Sequence, residues 1–131
     1  MKASALQITL GTIGVVQVIL GLVFLLLPTQ FAALLGLAVV PGWALWMFTM
    51  FSARAFGFAY GMFVAMRQPA LHRSWIIAMI AVQAVDWLGT AYYLLQGAVS
   101  LPQASTASFL PIIFIAVLIS RLPRPKAITF S

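Results

Sequence analysis

Two side chains of opposite charge lie deep inside apolar runs of this sequence. Arg54 interrupts the run Trp43–Met66, and Asp86, the single acid of the chain, interrupts the run Ser74–Gln96. An arginine keeps its proton, and a charge at the bilayer centre costs roughly 2.5–3.5 kcal/mol on insertion scales, so each residue requires a partner or water. These residue types predict an intramembrane ion pair, or a site that binds or transports a polar group.

Both residues lie at the same predicted depth. At about 1.5 Å of helix rise per residue, Arg54 lies about 20 Å before Arg67, and Asp86 lies about 18 Å after Ser74. The short connection between the two runs makes them antiparallel neighbours. The sequence therefore predicts an Arg54–Asp86 salt bridge near the midplane of the membrane.

Other polar and small side chains recur at helical spacing around this pair. Gln17 lies about 17 Å into the first apolar run, again near the midplane. The candidates for ligand binding or coupling are Arg54, Asp86, Gln17, Gln83, Thr90 and Tyr93, and the candidates for helix packing are Gly11, Gly14, Gly21, Gly57 and Gly61. Two interpretations stay open, because such a polar centre either forms a site or joins neighbouring helices.

The residues needed for most enzymatic chemistry are scarce. The chain has one histidine, one acid and no cysteine, and His72 falls in the loop between the second and third runs. Paired-carboxylate catalysis needs a second acid, thiolate chemistry needs a cysteine, and a metal site needs several ligands close together. We predict no catalytic residue, no metal site and no cofactor. Aromatic residues that could wall an apolar ligand slot are Phe48, Phe51, Phe56, Phe58, Tyr60, Trp87, Tyr92 and Tyr93.

The elements that position these residues follow from composition. Hydrophobic residues make up 64% of the 131-residue chain and charged residues 6%. In soluble domains roughly 45–50% of residues are apolar and about 25% are charged. Apolar runs cover residues 6–27, 43–66, 74–96 and 105–122, and each is long enough to cross a bilayer as a helix. The sequence predicts an all-α integral membrane protein, a single domain over residues 1–131 that forms a four-transmembrane-helix bundle. The first run is too long for the apolar part of a secretory signal.

The segment Thr29–Val40 between the first two runs is uncharged and mostly apolar. It predicts a short interfacial helix on the membrane surface, and a lengthened, tilted first span is the alternative.

Charge placement predicts the orientation. Six of the seven basic residues flank the runs on one side: Lys2, Arg67, Arg73, Arg121, Arg124 and Lys126. The positive-inside rule puts both termini in the cytoplasm, and we expect a bacterial inner membrane. The net charge of +6 is scattered instead of clustered on one face, which argues against nucleic-acid binding.

Several short motifs lie within residues 11–61. They are Gly21–Leu26, Pro28, Phe31, Leu34–Gly36, Ala53–Gly57 and Gly61. This combination resembles the small DoxX-like four-helix membrane proteins. The resemblance implies an accessory membrane subunit, in some relatives associated with quinone-linked redox complexes. The thiol chemistry of related helical bundles does not carry over, because this chain has no cysteine.

Three functional hypotheses follow. The first is a non-enzymatic accessory subunit, or a binder of a lipophilic small molecule such as a lipid or a quinone. The second is a small proton-coupled transporter in which Asp86 is the protonatable switch and Arg54 modulates it. The third and least favoured is an enzyme that acts on a lipid, because the acid–base complement is small. Membrane lipids are expected partners, and a homo-oligomer or a larger membrane complex is compatible with each hypothesis.

Overall fold

The computed structural model describes residues 3–37 and 39–125, apart from the side chain of residue 106. Its helices are α1 (Ala5–Leu26), α2 (Pro28–Leu34), α3 (Gly42–Arg67), α4 (Arg73–Leu95) and α5 (Leu101–Ser120). Helices hold 80% of these described residues and none of them lies in a strand, which confirms the all-α class. Helices α1, α3 and α4 cover nearly the same residues as the first three predicted runs.

A break separates α1 from α2. Leu27 leaves the helical conformation, with φ −131° and ψ 41°, and Pro28 begins the next helix. Proline suits this position because the first helical residue needs no backbone donor. A short helix therefore follows the first run as predicted, but it ends at Leu34 instead of reaching residue 40. The break disagrees with a continuous, lengthened first span.

Helix α5 begins four residues before its predicted start at residue 105. Ser100 and Gln103 form a capping box, in which each side chain accepts a hydrogen bond from the other residue's backbone amide. Such a box satisfies two amides that would otherwise lack partners at a helix start. Pro111 lies inside α5 and does not end it. The Ser-x-x-Gln pattern could have located this start from the sequence.

The long helices pack in two main pairs, α1 with α3 and α4 with α5, and smaller contacts join α1 to α5 and α3 to α4. Side-chain hydrogen bonds reinforce the pairs. The Ser52 hydroxyl donates to the Gly21 carbonyl at 2.7 Å, and the Trp87 indole donates to the Ser108 carbonyl at 3.1 Å. The first bond is buried and the second is partly buried, and unpaired polar groups in such places are costly.

One end of the protein carries most of the described charge. The Gln7 amide donates to the Met66 carbonyl, and the Arg73 guanidinium donates to the Pro123 carbonyl. These bonds bring together the start of α1, the end of α3, the start of α4 and the segment after α5. We call this the basic end, because it carries Arg67, Arg73, Arg121 and Arg124. Lys2 and Lys126 lie outside the described residues.

The main buried cluster of the protein lies next to the basic end. The buried core consists of Leu6, Leu10, Ile13, Met62, Ala65, Ile76, Met79, Phe114 and Leu118. It draws on all four long helices. Farther from the basic end, α1, α3 and α4 leave a cavity between them.

Three helices, α1, α4 and α5, are long and apolar enough to cross a membrane. Helix α3 has 26 residues, which is sufficient length, but it is not among the three. Arg54 and several small or polar residues make α3 less apolar than the others. The apolar helices fit a membrane protein.

Candidate functional site

A cavity of about 580 Å³ lies between α1, α3 and α4. This volume is within the range of roughly 300–1,000 Å³ typical of small-molecule sites. Its wall consists of Gln17, Leu20 and Phe24 from α1, Phe48, Phe51, Arg54, Ala55 and Phe58 from α3, and Ala81, Val82, Val85 and Asp86 from α4. Three of these side chains are polar, one from each helix, and all three were site candidates in the sequence.

Arg54 lies near the middle of α3, and its side chain is exposed. Its guanidinium donates a hydrogen bond of 3.2 Å to the carbonyl of Met50, one turn earlier in the same helix. A guanidinium carries five N–H donors, so one such bond leaves most of its donor capacity for another group. Arg54 can therefore donate to a ligand or water in the cavity.

Asp86 is exposed on α4 and lines the same cavity as Arg54. No salt bridge occurs among the described residues, so the predicted Arg54–Asp86 ion pair is absent from this structure. Arg54 and Asp86 line one cavity, consistent with their similar predicted depths, but their charged groups do not form an ion pair. A polar ligand or water can lie between the two charges.

Gln17 comes from α1 and is partly exposed in the cavity wall. Its amide has both a donor and an acceptor, so it can pair with a carbonyl or with a hydroxyl group. Together the three polar side chains provide a cation, an anion and a neutral amide in an otherwise apolar wall. This set can orient the polar head of a lipophilic molecule.

The other three candidates are not part of the cavity wall. Gln83 is only 6% exposed, and its amide lies 3.4 Å from the sulfur of Met79. Thr90 donates to the Asp86 carbonyl within α4, and Tyr93 is 55% exposed. Thr90 and Tyr93 share the helix face of Asp86, but they lie one and two turns beyond it. Helical spacing predicted that these residues share one face of α4, but it could not predict how far the cavity extends along that face.

Aromatic rings form the part of the wall nearest the opposite end of the protein. Phe24 stacks on Phe48 with ring centroids 5.4 Å apart, and it meets Phe31 of α2 edge-on at 5.2 Å. Phe48, Phe51 and Phe58 were predicted wall candidates. Phe24 was not, although it lies seven residues, or two turns, after Gln17 and so shares its helix face.

The glycines differ in what they contact. A β-carbon added at Gly11, Gly14 or Gly21 of α1 would lie 2.7 Å from Met66, Phe63 or Phe56 of α3, respectively. Gly61 of α3 lies directly against the ring of Trp75 in α4. Nothing lies within 4 Å of the corresponding position at Gly57. Close helix approach therefore explains four of the five predicted packing glycines and does not explain Gly57.

No protein-family model, curated protein or solved structure matches this chain. The resemblance to DoxX-like proteins therefore stays a prediction. Within residues 3–37 and 39–125, no group of three histidine, cysteine, aspartate or glutamate side chains could hold a metal ion. The class that the fold and the cavity define is an all-helical protein with apolar, membrane-compatible helices and an open, mostly apolar cavity that carries three polar side chains.

Proposed function

We propose that this protein is a four-span membrane protein that binds a lipophilic small molecule between α1, α3 and α4. The single observation that carries the proposal is the wall of the cavity, in which Gln17, Arg54 and Asp86 interrupt an apolar and aromatic lining. Ligand sites commonly combine an apolar wall with a few polar groups that fix orientation. The ligand is then an amphiphile, a quinone or a lipid, whose carbonyl or hydroxyl groups meet the polar side chains.

In this proposal both termini lie in the cytoplasm, with the basic end at the cytoplasmic face of a bacterial inner membrane. Helix α3 is the fourth span. This helix is less apolar than the other spans, in part because it carries Arg54. Gln17 and Asp86 line the same cavity as Arg54 and provide polar neighbours for this charge within the membrane. The bound molecule either stays with this protein alone or is passed to a larger membrane complex. The DoxX-like resemblance implies the second arrangement, in which the protein is an accessory subunit.

A proton-coupled transporter is the second candidate, and the exposure of Asp86 in the cavity is the observation that favours it. A carrier needs a hydrated path from that carboxylate to each side of the membrane. The core next to the basic end opposes such a path, because Leu10, Ile13, Met62 and Met79 are fully buried there. The binding protein is therefore the better supported of the two.

The proposal is tested by titrating the detergent-purified protein with a decyl-substituted benzoquinone while its tryptophan fluorescence is recorded. Replacing Arg54 with leucine removes charge-assisted hydrogen bonds worth about 1.5–3 kcal/mol, so we expect roughly tenfold weaker binding or more. Gln17→Leu is expected to weaken binding by a smaller factor. A diacyl lipid used as a competitor distinguishes a quinone site from a lipid site.

The chain offers matched controls for both substitutions. Arg121→Leu removes an exposed arginine at the basic end, outside the cavity wall, and Gln83→Met replaces a buried glutamine that the wall does not include. Both variants are expected to bind like the unchanged protein. If all four variants bind equally, or if neither the quinone nor the lipid binds saturably, the proposal is wrong.

A further inference from the structure

A second concavity lies at the basic end, along one face of α1 and the end of α3. Its volume is about 610 Å³, and it is lined by Ala3, Gln7, Ile8, Gly11, Thr12, Val15, Val16, Met66 and Arg67. None of these residues lines the cavity described above. We call this second concavity the α1 groove.

The apolar wall of the α1 groove runs along the helix axis. Ile8 is 60% exposed and Val15 is 51% exposed, and both face the groove. Gly11 lets Met66 of α3 lie directly against α1 in this wall, because a β-carbon there would lie 2.7 Å from the sulfur of Met66. From Ala5, the first residue of α1, to Val16 the helix axis advances about 17 Å, which is close to the roughly 15 Å of one leaflet in a hydrocarbon core of roughly 30 Å.

The polar groups of the groove are concentrated where it reaches the basic end. The Gln7 amide donates to the Met66 carbonyl, and its oxygen accepts from the Ser4 amide. The Thr12 hydroxyl donates to the Ile8 carbonyl within the helix. Arg67, the last residue of α3, is exposed, and it forms no ion pair with any described residue. Arg67 is therefore the charged group that this groove offers to a ligand.

The sign of the charge selects the ligand. The only acid of the chain, Asp86, lines the other cavity, so nothing described in the α1 groove can hold a cationic head group. The positive end of the α1 dipole lies at the same end of the groove and favours an anion. A free inorganic anion would leave the apolar wall exposed, whereas a phospholipid covers the wall with an acyl chain.

We propose that the α1 groove binds one anionic glycerophospholipid. Its phosphate contacts Arg67, and one acyl chain lies along Ile8, Gly11 and Val15. This site is separate from the ligand cavity and does not depend on what that cavity binds. It requires only that the basic end lies at a membrane–water boundary.

The experiment is native mass spectrometry of the detergent-purified protein titrated with phosphatidylglycerol or phosphatidylcholine of identical chains. We expect phosphatidylglycerol to be retained several-fold more than phosphatidylcholine. Arg67→Gln is expected to lower phosphatidylglycerol retention about fivefold, the size of one interfacial cation's contribution, with little effect on phosphatidylcholine. Thr12→Phe, which fills the groove, is expected to lower retention of both lipids.

Two control variants distinguish a site at Arg67 from a general attraction of anionic lipid to the basic end. Arg121→Gln and Arg124→Gln each remove another exposed arginine at the basic end, outside the α1 groove, so both variants should keep the preference for phosphatidylglycerol. Millimolar inorganic phosphate should not displace the lipid. Equal retention of the two lipids, equal losses in Arg67→Gln and Arg121→Gln, or displacement by phosphate would each overturn the proposal.

Discussion

Arg54 and Asp86 line one cavity from adjacent helices, and their charged groups do not form an ion pair. The guanidinium of Arg54 instead donates to the Met50 carbonyl of its own helix. Two unlike charges that share a cavity without contact leave room for a third group between them. This arrangement differs from a packed ion pair that only joins two helices.

The first prediction concerns the cost of removing one of these charges. Breaking a dry buried ion pair costs about 3–5 kcal/mol, because the remaining charge loses its partner. Since Arg54 and Asp86 are exposed to a cavity, we expect Asp86→Asn to lower the free energy of unfolding by less than half of that. Denaturant unfolding in detergent measures the change. If Asp86→Asn instead costs the full amount of about 3–5 kcal/mol, and adding Arg54→Leu restores the lost stability, then the two charges pair directly.

The second prediction concerns the bond between α1 and α3. The buried hydroxyl of Ser52 donates to the Gly21 carbonyl at 2.7 Å. Ser52→Ala leaves that carbonyl without this partner, and we expect a loss of about 1 kcal/mol in unfolding free energy. Ser120→Ala is the matched control, because the exposed Ser120 hydroxyl bonds only within its own helix. Equal melting temperatures for the two variants would show that the bond contributes nothing measurable.

The third prediction uses two glycines of α3 that lie one turn apart. Gly61 contacts the ring of Trp75, whereas the space beside Gly57 is open. Gly61→Ala forces the indole or the helix to move, at a cost of about 1–3 kcal/mol. Gly57→Ala should have no such cost, because alanine favours a helix over glycine. Thermal unfolding of the two variants checks the order, and a more stable Gly61→Ala would refute this packing.

The fourth prediction tests whether α3 crosses the membrane. With four spans and cytoplasmic termini, reporter fusions at Gly36 and Ser100 are external, and fusions at Ala70 and Ser131 are cytoplasmic. If only α1, α4 and α5 cross, the fusion at Ala70 becomes external and the fusion at Ser100 becomes cytoplasmic. Paired alkaline phosphatase and fluorescent-protein fusions distinguish the two arrangements. The exchanged pattern would exclude the four-span proposal.

Much of the fold could be predicted from local sequence. Apolar runs without charges determine where long helices form, because their backbone groups bond within each segment. The start of α5 also had a local cause, the pairing of Ser100 with Gln103, and the prediction overlooked it. The break at Leu27 was partly visible, because Pro28 cannot continue the hydrogen bonding of α1.

The sequence by itself determined the helices, the basic residues at their connections and the depth shared by Arg54 and Asp86, since these depend on helical rise and chain order. Tertiary structure decided which polar side chains meet. Gln83 faces the interior beside Met79, while Gln17, on a different helix, reaches the cavity of Arg54. The rotation and spacing of packed helices control this choice. They depend on contacts such as Gly61 against Trp75, which join residues distant in the sequence and leave no local pattern.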